Sequence, residues 1–328
     1  MLRLSANPAI NYSLIGPLIN VARVSYSGAC RVGEDSMKIA ITAAGGRLGR
    51  EVFKTLRGES PGHDLVAIVR NPAQVKIAGV EVRAGDYDSV EQMTAALQGI
   101  DVVLMISAPV VAGVDRVAQH RNVIAAAKQA GVRKVVFTSV IGNGLEAKTM
   151  FAEAQQVNSR AEADLQAAGL DWIIGRSGLY LDLDLMHIKR ADRDDGVYRN
   201  NAGEGRCGYI SIAELGYAFA KLVLADDCNG QTVNLIGPTY TQAELVALAN
   251  QVFGLNVRYT SMTTEENIAR FMQDEKISAR GEGVARMLTG CFQCIEIGAY
   301  DVESDYLAAT GREPLELRRQ MEQIRDAV

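Results

Sequence analysis

The chain has 328 residues, 48% of them apolar, and a net charge of −5. That length suits one α/β domain with a smaller lobe, and that apolar share can build a large core. Lys and Arg form no long runs and no apolar stretch reaches about 18 residues, which argues against a nucleic-acid partner and a membrane-spanning helix.

Residues 1–36 show neither helical nor strand periodicity. Their apolar part, Ser13 to Val24, is broken by Gly16, Pro17 and Asn20, unlike the core of a signal peptide. The expectation is that Met37 is the natural start, or that residues 1–36 are a poorly ordered extension. From Met37 short apolar runs alternate with helical segments. Strands are expected at Lys38–Thr42, Asp64–Val69, Val80–Gly85, Asp101–Ser107, Lys134–Ser139 and Leu170–Arg176. Helices are expected after Gly46, over Val90–Leu97, over Val114–Ala130, and over Ala152–Ala168 with Gly169 as its stop. Several strands are unbroken apolar runs, as strands read when helices cover both faces. The fold class is therefore α/β: a doubly wound parallel (Rossmann) sheet over 37–176, followed by a smaller α+β substrate lobe over 177–328.

In that second part, Ile212–Ala225 reads as a helix. Val233–Pro238 reads as a strand able to join the main sheet. Thr241 with Glu244 forms a capping box, and Val257–Met262 reads as a further strand. The mixed-charge stretch 182–195 is expected to be a solvated lid or loop.

The five cysteines, Cys30, Cys207, Cys228, Cys291 and Cys294, are odd in number and irregularly spaced. They fit a reducing, cytoplasmic setting better than a disulfide framework. Cys291 and Cys294 form a CxxC, but only three histidines exist to complete a zinc site, so ordinary thiols and no metal are expected.

The stretch TAAGGRLGRE, Thr42 to Glu51, joins the first strand to the first helix. Gly46 would let a pyrophosphate approach the backbone, and Gly49 would let the helix pack on the sheet. Ala43 stands where the tight turn usually has glycine; alanine is tolerable there provided φ is negative. The second strand ends in AIVRNP. Arg70 therefore occupies the place where an acid would select NAD, and Arg47 adds a second cation. This favours NADPH over NADH.

TAAGGRLG at 42–49, IVRNP at 68–72, GDYDS at 85–89, MISAP at 105–109, FTSV at 137–140 and GLDWIIGRSGLY at 169–180 together resemble the NmrA-like family of atypical short-chain dehydrogenases/reductases. The likeness is to its quinone oxidoreductase and triphenylmethane reductase type, and covers most of the chain from Met37. The resemblance implies that Gly46, Arg47 and Leu48 lie along the pyrophosphate, with Thr42 and Gly45 completing the loop. Arg70 would meet the 2′-phosphate. Asp86 and Tyr87 would flank the adenine, Ser107 and Ala108 the nicotinamide ribose, and Ser139 and Val140 the nicotinamide. Tyr180 would face the substrate cleft.

The Tyr-x-x-x-Lys pair of ordinary short-chain dehydrogenases is replaced by Ala154 and Asn158. Neither can protonate an alkoxide, which disfavours a carbonyl reductase. Quinones and cationic dyes accept hydride without such help. Asn158 could orient the cofactor, and Tyr180 could donate a proton or simply pack. His187 could contact substrate or be structural. Arg176 could cap a helix or form an ion pair. Met186, Met262 and Met287 could line an aromatic pocket or fill core. The reading is an NADPH-dependent reductase of a quinone-like or conjugated aromatic acceptor, monomer or homodimer. The alternative is a non-catalytic NADP(H) sensor acting through a partner protein, which the same missing pair would also suit.

Overall fold

The structure, a computed structural model, describes residues 36–111 and 113–325. The expectation for the N-terminal extension, and Cys30 with it, lies outside the described residues apart from Ser36.

The first part of the chain alternates strand and helix. It runs β1 (Lys38–Thr42), α1 (Arg47–Glu59), β2 (Asp64–Val69), β3 (Glu81–Ala84), α2 (Val90–Ala96) and β4 (Val102–Met105). It continues with α3 (Arg116–Gln129), β5 (Lys134–Val140), α4 (Ala152–Gln166) and β6 (Asp171–Ser177). Then follow β7 (Leu179–Tyr180), α5 (Leu181–Arg193), β8 (Val197–Asn200), β9 (Arg206–Ile210), α6 (Ile212–Leu224) and β10 (Gln231–Leu235). The chain closes with β11 (Thr239–Thr241), α7 (Gln242–Phe253), β12 (Arg258–Ser261), α8 (Thr264–Gln273), α9 (Glu275–Ser278), α10 (Glu282–Glu296), α11 (Tyr306–Thr310) and α12 (Leu317–Gln323).

Seven parallel strands form the main sheet in the order β10-β6-β5-β4-β1-β2-β3. The strand at the end of this order, β10, pairs with β6 from Gln231 opposite Ile173 to Leu235 opposite Ser177. The unbroken apolar runs have a direct structural cause. In β1, Ile39 and Ile41 enter a core shared with Val52 and Phe53 of α1 and Phe219 of α6. Ala40, between them, enters the opposite core with Met93 of α2, Val123 of α3 and Leu165 of α4. Each large apolar side chain so buried contributes roughly 1.5–3 kcal/mol. Strand order reverses between β1 and β4, and the crevice outside their carboxyl ends is where such sheets hold ligands.

The remaining strands make a three-stranded sheet, β11-β9-β7, and a parallel pair, β12 with β8. A third core gathers Leu181, Leu185 and Ile188 of α5 with Tyr209, Tyr300 and Met321. This part docks on the segment after β5. Asn143 donates to Gly298 O (2.9 Å), and Met150 N donates to Gln293 Oε1 (2.9 Å). The expected capping box at Thr241 and Glu244 is present at the start of α7.

The stretch 182–195 is not a lid or loop: it is helix α5 through Arg193. Leu181, Leu185 and Ile188 recur at helical spacing, and the acids among them hid that stripe. Asp182 and Asp184 are buried in the first turn, where the helix dipole favours negative charge. Asp182 also accepts a hydrogen bond from Ile212 N at 2.9 Å, capping α6. No helix among the described residues is long and apolar enough to cross a membrane.

Burying Asp184 is unfavourable while it is charged. Tyr198 Oη donates to it at 2.6 Å, yet burial pushes its pKa up to about 6. A carboxyl whose folded pKa is raised binds its proton more tightly when folded. The associated stability is full below about pH 4 and is lost as pH rises through about 6. Asp184→Asn keeps the acceptor for Tyr198 and removes the charge. Its melting temperature at pH 7.5 is expected to exceed that of the unaltered protein by a few degrees, for about 2–3 kcal/mol. The gap should narrow as pH falls through about 6 and close below about pH 4. An advantage that does not vary with pH, or a loss at pH 7.5, would contradict this.

Candidate cofactor and active site

The turn from β1 into α1 is built to leave amides bare. Gly46 caps α1 with extended backbone (φ −73°, ψ 167°) and offers no side chain to the helix amides. The first turn of α1 contains no acid. A Cβ on Gly46 would come no closer than 3.4 Å to anything, so the approach to those amides is open. Gly49 is the opposite case: a Cβ there would lie 2.9 Å from the Ala44 Cα, so helix and loop backbones are in contact. An uncapped helix start with an open face fits a phosphate group.

Ala43 departs from expectation. Its φ is +49°, and it is the only non-glycine residue with positive φ among the described residues. The neighbouring Gly45 does not take over this reversal, which Ala43 itself makes. An alanine in the left-handed region costs roughly 1–2 kcal/mol.

Thr42 is wholly buried and sits at a junction. Its hydroxyl reaches Leu104 O (3.2 Å), accepts from Ile106 N (3.0 Å) and hydrogen-bonds Tyr87 Oη. Tyr87 Oη donates in turn to Ile106 O at 2.6 Å, and burial raises its pKa. Asp86 accepts from Asp88 N at 3.1 Å, shaping the turn after β3. Thr42, Asp86 and Tyr87 thus shape the crevice, and the two hydroxyls are already engaged. Arg70 is exposed at the tip of β2 and makes no ion pair among the described residues. Arg47 is 54% exposed, with Asp182 at 3.7 Å from across the crevice.

The loop after β4 is held from three sides. Ser107 N donates to Thr138 Oγ1 (2.9 Å), Ala108 N donates to His120 Nε2 (2.9 Å), and Arg116 Nε donates to Ala108 O (2.8 Å). Burial, with Arg116 nearby, lowers the His120 pKa to about 4, so the ring is neutral and carries its proton on Nδ1. His120 packs edge-on to Phe137 at 5.4 Å. Arg116 Nη2 reaches Asn158 Oδ1 at 3.4 Å.

Ser139 does not offer its hydroxyl to the crevice. It donates to Glu162 Oε1 at 2.5 Å, and Arg176 grips the same carboxylate through Nε (3.0 Å) and Nη2 (2.6 Å). Arg176 is therefore an ion-pair residue rather than a helix cap. Val140, at the end of β5, packs on the third core. Ala154, Asn158 and Glu162 lie one turn apart along one face of α4. Reading the sequence did not single out His120, Arg116, Thr138 or Glu162. The four-residue spacing of Arg116 with His120, and of Asn158 with Glu162, was the available signal.

From the other side come Tyr180 and α5. Tyr180 is half-buried. Burial and then Asp182 raise its pKa, against the opposing effect of Arg47, so the phenol keeps its proton at neutral pH. His187 is half-buried on α5 and neutral, its pKa lowered by burial and then by Arg270 and Arg190. Leu183 and Met186 on α5, and Val111 and Val114 beyond β4, expose much of their apolar surface. Met287 packs on the third core. Burial raises the pKa of the Cys291 and Cys294 thiols, and among the described residues no three metal-binding side chains converge.

A family model described as NAD(P)H-binding matches residues 43–201. Quinone oxidoreductase 2 of Escherichia coli (strain K12) is 33% identical over 254 residues, covering 76% of this chain and 85% of that protein. The chain belongs to the NmrA-like family of atypical short-chain dehydrogenases/reductases. The crystal structure of the same Escherichia coli enzyme complexed with NADPH superposes with a TM-score of 0.77 at 28% identity, over 87% of this chain and 99% of that one. The Citrobacter sp. triphenylmethane reductase complexed with NADP(H) gives a TM-score of 0.75 at 27% identity, over 87% and 99%. The NAD(P)H azoreductase of Xenophilus azovorans is 26% identical over 230 residues, 70% of this chain and 78% of that protein. The chain is thus an NmrA-like, NAD(P)H-dependent oxidoreductase.

The strain at Ala43 in this NmrA-like loop is testable. Ala43→Gly should stabilise the protein by about 1 kcal/mol, roughly 2 °C in melting temperature, with nicotinamide-nucleotide affinity changed by less than about threefold. A lower melting temperature would show that the turn has negative φ in solution.

Proposed function

We propose that the chain is an NADPH-dependent reductase that passes hydride to a quinone-like or other conjugated aromatic acceptor, and does so without a Tyr-x-x-x-Lys pair. The bound cofactor supplies the hydride. What the chain supplies is position. The bare first turn of α1 suits the pyrophosphate, and Arg70 and Arg47 suit the 2′-phosphate. Ser107, Ala108, Ser139 and Val140 border the crevice where the nicotinamide half would rest, and Asp86 and Tyr87 shape its adenine end.

One observation carries this reading. On the side of the crevice formed by β5 and α4, no group among the described residues is ready to give up a proton. Ser139 donates its own to Glu162, Glu162 is ion-paired with Arg176, and Asn158 is an amide between Arg116 and its own helix. A simple ketone needs protonation as its alkoxide forms. A conjugated acceptor spreads the arriving charge instead and needs mainly proximity. The exposed Val111, Val114, Leu183 and Met186 lie on segments leaving the carboxyl ends of β4 and β7, which suits an apolar, flat substrate. The names of the quinone, azo and triphenylmethane reductases among its relatives favour the same class.

Steady-state loss of NADPH against a panel of quinones and cationic dyes tests the reading, with aliphatic ketones as the comparison. Turnover is expected with the first two and not the third. Tight NADPH binding with no acceptor accelerating its oxidation would leave the sensor reading in possession. Arg70→Asp should weaken NADPH by about 10–100-fold, as the loss of charge-assisted bonds implies, and NADH by less than about threefold. Equal losses for both nucleotides would remove Arg70 from the 2′-phosphate. Tyr180→Phe should slow turnover by less than about threefold, because a phenol held protonated is a poor acid. A fall beyond tenfold would make Tyr180 the proton donor.

A further inference from the structure

Among the described residues, Arg116 is a half-buried cation without an anion. Its Nε donates to Ala108 O at 2.8 Å and its Nη2 to Asn158 Oδ1 at 3.4 Å, and both acceptors are neutral. A guanidinium carries five N–H donors, so part of its capacity is unused. Among the described residues it has no carboxylate partner. Arg176 on neighbouring β6 shows the contrast, since Glu162 neutralises it through two hydrogen bonds. Withdrawing a cation from water without a counter-charge is unfavourable, and the two neutral acceptors offset that only in part. The two acceptors also fix where Arg116 lies. Ala108 follows the carboxyl end of β4 and Asn158 lies on α4, so the guanidinium lies between the loop that leaves β4 and helix α4.

We propose that Arg116 binds the acceptor oxygen that becomes anionic when hydride arrives. The proposal rests on the reductase reading above and adds a specificity to it. A hydride carries two electrons and a proton. Delivered to a neutral quinone, it leaves the oxidised cofactor and a hydroquinone monoanion, whose charge stays on one oxygen until water supplies a proton. Delivered to a triarylmethyl cation, the same hydride forms a C–H bond and a neutral product. A fixed cation stabilises the first reaction as charge develops and gives the second nothing. Arg116 would thus favour acceptors that turn negative over acceptors that turn neutral.

The test uses Arg116→Gln, which keeps a donor for Ala108 O but no charge, and Arg116→Lys, which keeps the charge. One measurement needs no turnover: calorimetric binding of 2,6-dichloro-4-nitrophenolate and of its methyl ether to the protein saturated with NADP+. The unaltered protein should prefer the phenolate by about tenfold or more, as a charge-assisted bond implies. Arg116→Gln should lose that preference and Arg116→Lys keep part of it. The other measurement is turnover. Arg116→Gln should lower kcat on a quinone by about a hundredfold, as removal of one oxyanion donor does, and by at least tenfold more than on a cationic dye. Equal losses on both acceptors, with the phenolate preference intact, would overturn the proposal and leave Arg116 as a loop support. If the unaltered protein reduces nothing on the panel, the reductase reading fails by itself. The phenolate preference then still decides whether Arg116 holds an anion, and its absence from the unaltered protein would overturn that.

Discussion

The hydroxyl of Thr42 joins the chain segments on which the crevice depends. Through Leu104, Ile106 and Tyr87 it ties the end of β1 to the end of β4 and to the turn after β3. These are the strands on either side of the order reversal in the sheet, together with the wall beside them. A buried hydroxyl gains most when every lone pair and proton is used, because a bond left unmade there costs more than a made one contributes. Saturating Thr42 fixes the point at which the chain leaves β1. From there it has four residues to turn before α1 begins at Arg47.

That short path explains Ala43. The chain must reverse within the turn, so one residue takes positive φ, and here it is an alanine. Gly46 is then free to stay extended and bare at the helix start, and Gly49 lets the helix lie against Ala44. Strain at Ala43 and openness at Gly46, three residues on, are two sides of one geometry. They sit where a ligand's negative charge would meet the helix dipole.

Much of this architecture is written in the sequence in plain form. Lys38–Thr42 and Asp64–Val69 are strands to the residue, because helices cover both faces and the apolar runs are unbroken. Helix α5 was hidden because Asp182 and Asp184 are buried by tertiary partners, Ile212 N and Tyr198 Oη, which no local pattern announces. The sign of φ at Ala43, on which the sequence reading turned, is set by where β1 is pinned and where α1 begins, not by alanine's own preference. The half of the crevice at the start of α1 was legible since backbone and glycine make it. The half beside β5 was not. Its order comes from side-chain pairs distant in sequence, such as Ser107 with Thr138 and Ser139 with Glu162.

Those pairs bear directly on chemistry. Ser139, Glu162 and Arg176 form a closed set whose charges cancel and whose protons are assigned, so it makes a rigid wall and a poor acid. On the same face of α4, one turn away, Asn158 meets Arg116, and there the charge is not cancelled. A neutral wall of this kind is a poor source of a proton, and a cation beside it that has no carboxylate partner among the described residues would suit an electron pair that arrives without one. That is the situation a hydride creates on a conjugated oxygen acceptor. On the proposed reading, Ala154 and Asn158 in the places of a tyrosine and a lysine would change which charge the crevice is prepared to stabilise.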